Sequence, residues 1–438
     1  MEQMITIANR FLPVFSYLFL ALMFIGGAFR IAELTQSARV IRKHVRSLRA
    51  VDYRRFQDSE HMMPVSLILP AVGMDADLSA SVQNLLALEF KQYELIVVAN
   101  SEQKQIWDSL KKAYHLLPFH QPYKKTLQSS EIRGVYRSAD DVRLIVLDQA
   151  AASRADALNA GVNVSSYPII AVSDPDLRLS KDALLKAIYA FVGDPNCVFI
   201  GSFPRVGTAI QGEGKLPVLG ELQGIERLRM LYTHRRGYET LGLYLPLQAT
   251  FAAFLKSAIQ ESGGFSAATT GEIADLLLRL HARFQRDKRT YSAPLMPEAV
   301  CYQMPQRRMK AVCDKRRREQ ATMRSVLMQH RSQNRSIQAL SYTRFAETGW
   351  PRIEWIGALV VALSALLGAV PPMLFVSYLG LSILMGSLQS LASVLLEESA
   401  FQRQTDTGLL LKRYALSILE NCYYRPRVTL AKLLSHGK

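Results

Sequence analysis

Cysteine is scarce in this chain: four residues in 438, at positions 197, 301, 313 and 422, with no Cys-x-x-Cys and no paired histidine ligands. That spacing offers no zinc site, and in a cytoplasmic domain such thiols stay reduced. Acidic residues are also in short supply, 37 against 53 Lys and Arg, which leaves a formal charge of +16. A surplus of that size asks for anionic partners. No DNA- or RNA-binding motif accompanies it, so nucleic acid is set aside, and anionic lipid headgroups and phosphate groups remain. No internal repeat or low-complexity tract is present. Two stretches lack charge altogether, one from Phe11 to Phe29 and one between Glu354 and Glu397.

The uncharged stretches read as membrane segments. Phe11 to Phe29 is long enough to cross a bilayer. No small-residue cleavage site follows it. Arg30, Arg39, Arg42, Lys43, Arg46 and Arg49 do, so it is expected to be an uncleaved anchor with the following domain in the cytoplasm. Trp355 to Leu396 is too long for one span and is broken only at Pro371-Pro372, which suits two spans joined by an outer proline turn. Leu409 to Leu434 then mixes apolar residues with Lys412, Arg413, Arg425, Arg427 and Lys432 at helical spacing. It reads as an interfacial helix on an anionic leaflet, making membrane lipids a partner.

Between these segments the pattern is α/β. Pro64 to Ala71 reads as a buried strand stopped by a proline, Leu78 to Leu88 as a helix and Tyr93 to Val98 as a second strand. Strand, helix and strand at this spacing predict a parallel unit with a right-handed crossover. Leu144 to Leu147, Ala155 to Asn163 and Pro168 to Val172 repeat it and deliver the chain to Ser173-Asp174-Pro175-Asp176. Two carboxylates one residue apart at a strand's carboxyl end lie where open α/β sheets bind ligands. Such oxygens suit Mg²⁺ or Mn²⁺ bridging a diphosphate; the same residues also suit an ordinary turn.

The ordered set Val-Ser-Leu-Ile-Leu-Pro-Ala, Glu-Leu-Ile-Val-Val, Ala-Asp-Ala-Leu-Asn-Ala-Gly and Asp-x-Asp resembles the family 2 glycosyltransferases. The likeness continues through Glu261 to Phe265, Gly271-Glu272, Leu276 to Leu280 and Pro297 to Val300. It is nearest the membrane-bound bacterial branch of cellulose-, chitin- and poly-N-acetylglucosamine-synthase-like enzymes, and it covers roughly residues 64–330. It implies a GT-A-type, Rossmann-like domain at 64–345, between an anchor at 1–34 with a basic linker at 35–63 and two transmembrane helices at 350–396. A cytoplasmic interfacial tail at 397–438 follows. It also implies a multi-pass protein of the bacterial inner membrane, a nucleotide-sugar donor (a UDP-sugar first), and polysaccharide-synthase or export subunits as partners.

Laid against the family's motifs, the chain keeps some residues and replaces others. Asn100 stands where relatives carry the base-contacting aspartate, and Arg154 stands in the usual Gly-Lys-Ala. Asp156, Asn159 and Gly161 agree, as do Asp174 and Asp176, the expected metal ligands. The resemblance therefore implies nucleotide-sugar binding by Asn100, Arg154, Asp156, Asp174 and Arg318, the last being the surviving arginine of Gln-x-x-Arg-Trp. In that motif glutamine is Lys315 and tryptophan is Glu319. The catalytic base falls at Ile273, which cannot accept a proton, so Glu272 and Asp275 are the displaced candidates. Glu272 also suits the mere opening of a helix, where acidic residues are favoured. The cluster at Arg307, Arg308, Lys310 and Lys315 to Arg318 reads either as a solvated or lipid-facing helix or as a phosphate site.

Two functions follow. One is a membrane glycosyltransferase-like protein of surface-polysaccharide or glycolipid synthesis, with an inverting transfer implied by the family. The other is a catalytically inactive relative that binds or regulates an envelope-polysaccharide synthase. A transporter ranks below both, because the spans carry no intramembrane ionisable residue.

Overall fold

The computed structural model describes residues 2–49, 53–59, 62–72, 78–150, 152–207, 216–240, 249–296, 298, 300–330, 349–401 and 407–433. The chain opens with α1 (Glu2–Arg49) and α2 (Tyr53–Gln57). An alternating series follows: β1 (Val65–Pro70), α3 (Ser79–Leu86), β2 (Tyr93–Ala99), α4 (Lys104–Tyr114), β3 (Leu116–Pro118), β4 (Ile132–Ser138), β5 (Leu144–Gln149), α5 (Arg154–Val164) and β6 (Ile169–Val172). Past Asp174 come β7 (Leu177–Leu179), α6 (Ala183–Gly193), β8 (Phe199–Ser202), β9 (Arg205–Val206) and α7 (Val218–Thr240). Then come β10 (Phe251–Leu255), α8 (Lys256–Glu261), α9 (Glu272–Arg286), β11 (Leu295–Met296), β12 (Cys301–Gln303) and α10 (Met309–Gln329). Helices Trp350–Leu366, Pro372–Phe401, Thr407–Leu419 and Arg425–Leu433 close the chain, the last two joined by a π-helical turn at Glu420–Tyr424.

The four apolar runs picked out by sequence pair in parallel as β6-β1-β2-β5, the middle of a nine-stranded sheet ordered β11-β8-β10-β6-β1-β2-β5-β4-β3. Every residue of β1, β2, β5 and β6 is buried, as expected of strands covered on both faces. β10 pairs antiparallel with both β6 and β8, so the sheet is mixed, consistent with the GT-A architecture. α5 lies close over β1; a side chain at Gly161 would begin 2.7 Å from Ile68 Cγ2, which is why that helix position carries none.

Two helices, Phe11–Arg46 within α1 and Pro372–Phe401, are long and apolar enough to cross a membrane. The 17-residue Trp350–Leu366 helix packs against both, which also pack against each other, and sits at the short end of the spanning range. Gly368 lies between the Trp350–Leu366 and Pro372–Phe401 helices with φ +71°, a conformation that favours glycine. Pro371-Pro372 follows, so the tight proline turn expected there is present.

Two helices run past the expected boundaries. α1 runs unbroken to Arg49 through the segment read as a basic linker, because residues 30–49 contain neither Gly nor Pro and are rich in good helix formers. The Pro372–Phe401 helix likewise continues past Leu396. The expected domain end at 345 lies outside the described residues.

Helices and domain share their packing. Ile41 of α1, Leu231 and Tyr232 of α7, Leu295 of β11 and Leu396 form one buried cluster. Beside it the Arg205 guanidinium makes a forked pair with Glu397, 2.9 Å to each oxygen, and the Tyr232 hydroxyl donates to the same carboxylate. The tail is tied in as well: Tyr424 Oη donates to Glu226 at 2.7 Å, and Arg229 meets Glu420 at 2.8 Å.

Candidate functional site

β1 has β6 on one side and β2 on the other, both parallel, so strand order turns back at β1. Open α/β sheets bind ligands outside such a switch point. The ladder continues one residue past β6, with Ser173 N donating to Ile68 O at 3.2 Å. Asp174 is the next residue and stands half-exposed at that edge.

The helix leading into β6 supplies its partner. Ser153 caps α5, its Oγ accepting from Asp156 N at 3.2 Å, and Arg154 is the first helical residue. One Arg154 nitrogen donates to Asp174 Oδ1 at 2.5 Å and another to Glu272 Oε2 at 2.9 Å. Glu272 opens α9, which forms because Ile273, Leu276, Leu277, Leu280 and Phe284 repeat on one face. Burial pushes the Glu272 carboxyl above its ordinary value, against the Arg154 guanidinium. Arg154, Asp174 and Glu272 thus come together at one wall of a cavity of about 220 Å³, and Ile273 lines it beside them.

α10 forms the opposite wall. Arg316, Glu319, Gln320 and Met323 recur every three or four residues and face the cavity. Glu319 accepts from Arg227 of α7 at 2.6 Å and from Arg316 at 2.9 Å. Burial opposes ionisation of Glu319, yet Arg227, Arg316 and Lys315 outweigh it and hold its carboxyl at about 2. Behind this pair Arg316 also meets the buried Glu226 at 2.6 Å. Lys315 lies within the field of Asp176, although burial draws its ammonium below its usual range.

The remaining candidates lie elsewhere. Arg318 is exposed and outside the cavity lining: two residues on from Arg316 is about 200° around a helix, so the buried arginine of the run is 316. Asp275 is fully buried, accepting from Arg279 at 2.8 Å and bonded to His330 at 2.7 Å. It points away from the cavity that Glu272 enters. Asp156 accepts from Ser130 N (2.7 Å), Ser130 Oγ (2.6 Å) and Ala152 N (2.9 Å), so it fastens the loop before the helix. Asn100 accepts from Glu102 N at 3.0 Å and from Arg133 at 3.2 Å, outside the cavity lining. Arg227 carried no sequence signal, and the helical spacing of 316, 319, 320 and 323 was the one available clue to α10.

In this geometry both members of the expected metal pair already have partners. Arg154 already occupies Asp174 Oδ1, and exposed Asp176 is bonded by Gln303. Among the described residues no group of three or more His, Cys, Asp or Glu side chains gathers around a point. With a guanidinium on one carboxylate and an amide on the other, Asp174 and Asp176 as arranged do not fit a divalent ion.

Residues 66–263 match the family described as glycosyl transferase family 2. The chain is 22% identical over 241 residues to the poly-β-1,6-N-acetyl-D-glucosamine synthase of Staphylococcus aureus (strain COL), covering 55% of this chain and 50% of that one. The Staphylococcus epidermidis synthase of the same name is 21% identical over 248 residues, covering 56% and 52%. The chain therefore spans about half the length of the curated relatives it matches. Among solved structures, the mannosyltransferase PcManGT from Pyrobaculum calidifontis, in complex with GDP-Man and Mn²⁺, aligns over 91% of this chain and 99% of its own. That alignment has 12% identity and a TM-score of 0.46.

Proposed function

We propose a membrane glycosyltransferase of surface-polysaccharide or glycolipid synthesis, because residues 66–263 match glycosyl transferase family 2 and helices long and apolar enough to cross a membrane lie on either side. It takes a nucleotide sugar, a UDP-sugar first, in the cavity between Asp174 and Glu272. The convergence of Arg154, Asp174 and Glu272 on the sheet's carboxyl edge carries this reading. In the reaction an acceptor hydroxyl oxygen bonds to the anomeric carbon, the bond from that carbon to the diphosphate oxygen breaks, and the hydroxyl proton needs a base. Glu272 is the carboxylate that α9 offers to the cavity, and burial favours its protonated form, which makes it a better proton acceptor. Arg154, with Arg227, Arg316 and Lys432 on the cavity wall, offsets charge on the departing diphosphate.

The basic residues after the first span favour a cytoplasmic domain in the bacterial inner membrane. The half-exposed basic tail favours contact with anionic lipid. Synthase or export subunits would meet the exposed apolar faces of the spanning helices.

One observation favours the second reading, an inactive relative that regulates a synthase: Ile273 fills the family's base position on the cavity wall. UDP release from UDP-glucose and UDP-N-acetylglucosamine by the detergent-purified chain separates the two. We expect turnover that falls about a hundredfold in Glu272→Gln with donor binding kept. Binding without turnover in the unaltered protein rejects Glu272 as the base and leaves the regulatory reading.

A further inference from the structure

We infer that Arg154 stands in the place of a divalent ion, so that this cavity holds the diphosphate of a nucleoside diphosphate through a guanidinium and without metal. The inference rests on the donor-site reading above and adds its cation requirement.

Three observations carry it. First, Arg154 holds two carboxylates of the cavity, Asp174 at 2.5 Å and Glu272 at 2.9 Å, from two different nitrogens. A cation approaching Asp174 Oδ1 meets a fixed positive charge already bonded there. Second, a guanidinium has five N–H donors. Two are engaged by the carboxylates, which leaves three for phosphate oxygens, and the side chain is 27% exposed on the cavity side. Planar, forked donors match phosphate geometry well. Third, the residue is held by what surrounds it. Ser153 caps the helix and Asp156 ties Ser130 and Ala152 to its first turn, so Arg154 projects from a braced helix start. The partial positive charge of a helix N-terminus adds to its attraction for anions. Asp174 then acts as a positioning residue, aiming the guanidinium. Asp176 is turned to Gln303.

Calorimetric titration of the detergent-purified full chain with UDP and GDP, in EDTA and in Mn²⁺, tests this. We expect a nucleotide affinity unchanged by EDTA and weakened about tenfold or more in Arg154→Gln, as loss of charge-assisted hydrogen bonds predicts. Arg154→Lys, which keeps the charge and loses the fork, should fall between the two. Asp174→Asn, which keeps an acceptor for Arg154 but loses the charge that aims it, should weaken binding by less than Arg154→Gln does. Thermal unfolding of each variant separates lost binding from lost fold, and if Arg154→Gln melts early the lysine and asparagine variants decide. Binding that requires Mn²⁺ and vanishes in Asp174→Asn overturns the inference while leaving the donor-site reading intact. Absence of nucleotide binding in both buffers overturns both.

Discussion

α5 and α9 each place their first residue in the cavity, Arg154 from one and Glu272 from the other, and the two meet at 2.9 Å. Past that first turn they differ. α5 is buried on nearly every side, and its buried polar residues are amides that bond to neighbouring backbone. Asn159 binds Gln128 O, Phe265 O and Phe265 N, and Asn163 binds Thr126 N, Leu127 N and Leu127 O. α9 is amphipathic, and the polar groups it buries are ionisable: Asp275 against Arg279 and His330, and His281 bonded to Tyr291. Both helices brace the same site, but amides keep one charge at every pH, whereas a carboxylate and an imidazole do not. Acid should therefore loosen the α9 side first.

The largest expected effect is on that side. Asp275→Ala leaves a buried His330 and a half-buried Arg279 without their carboxylate, and breaking a buried pair costs about 3–5 kcal/mol. We expect a lowered thermal midpoint and poor recovery of folded protein. A well-folded Asp275→Ala protein that has lost only turnover would instead place Asp275 in the chemistry. Next is Asn159→Ala, which strips three backbone groups of their partner at a cost of about 2–3 kcal/mol. Its thermal midpoint should drop by the same amount at pH 5 and pH 7, and a pH-dependent drop would break the contrast between the helices.

The smallest effect sharpens it. Burial lowers the His281 imidazole to about 4, below its unfolded value near 6.5. The folded state resists the proton that the unfolded chain accepts, so this stability is present above about pH 6.5 and is lost as pH falls toward 4, about 3 kcal/mol in all and about 2 kcal/mol of it between pH 7 and pH 4.5. Unfolding followed from pH 7 to pH 4.5 should show that loss, and His281→Gln should flatten the curve. An unchanged slope in the variant would assign the acid sensitivity elsewhere.

Much of the framework was legible from residue pattern. β1, β2, β5 and β6 fall on the apolar runs read at 64–71, 93–98, 144–147 and 168–172, and α5 falls on the small-residue helix read at 155–163. Buried parallel strands show this way because both faces must be apolar. Site residues were less legible. Arg154 and Asp174 lie in local motifs and were named. Arg316 and Arg318 belong to one basic run, and choosing between them needs the direction in which α10 packs. Glu272 and Asp275 both suit a helix's first turn, and only the packing of α9 turns one into the cavity and buries the other.

Sequence alone determined the strand and helix order, the apolar segments at either end and the position of the carboxylates at the end of β6, because local periodicity and turn chemistry act over a few residues. Tertiary structure decided the constellation: Arg154 and Glu272 are 118 positions apart, and Arg227 and Glu319 are 92 apart. Their charges converge because the sheet's switch point and the walls formed by α7, α9 and α10 are set by packing between distant elements. No local pattern encodes which face of a helix that packing will turn inward.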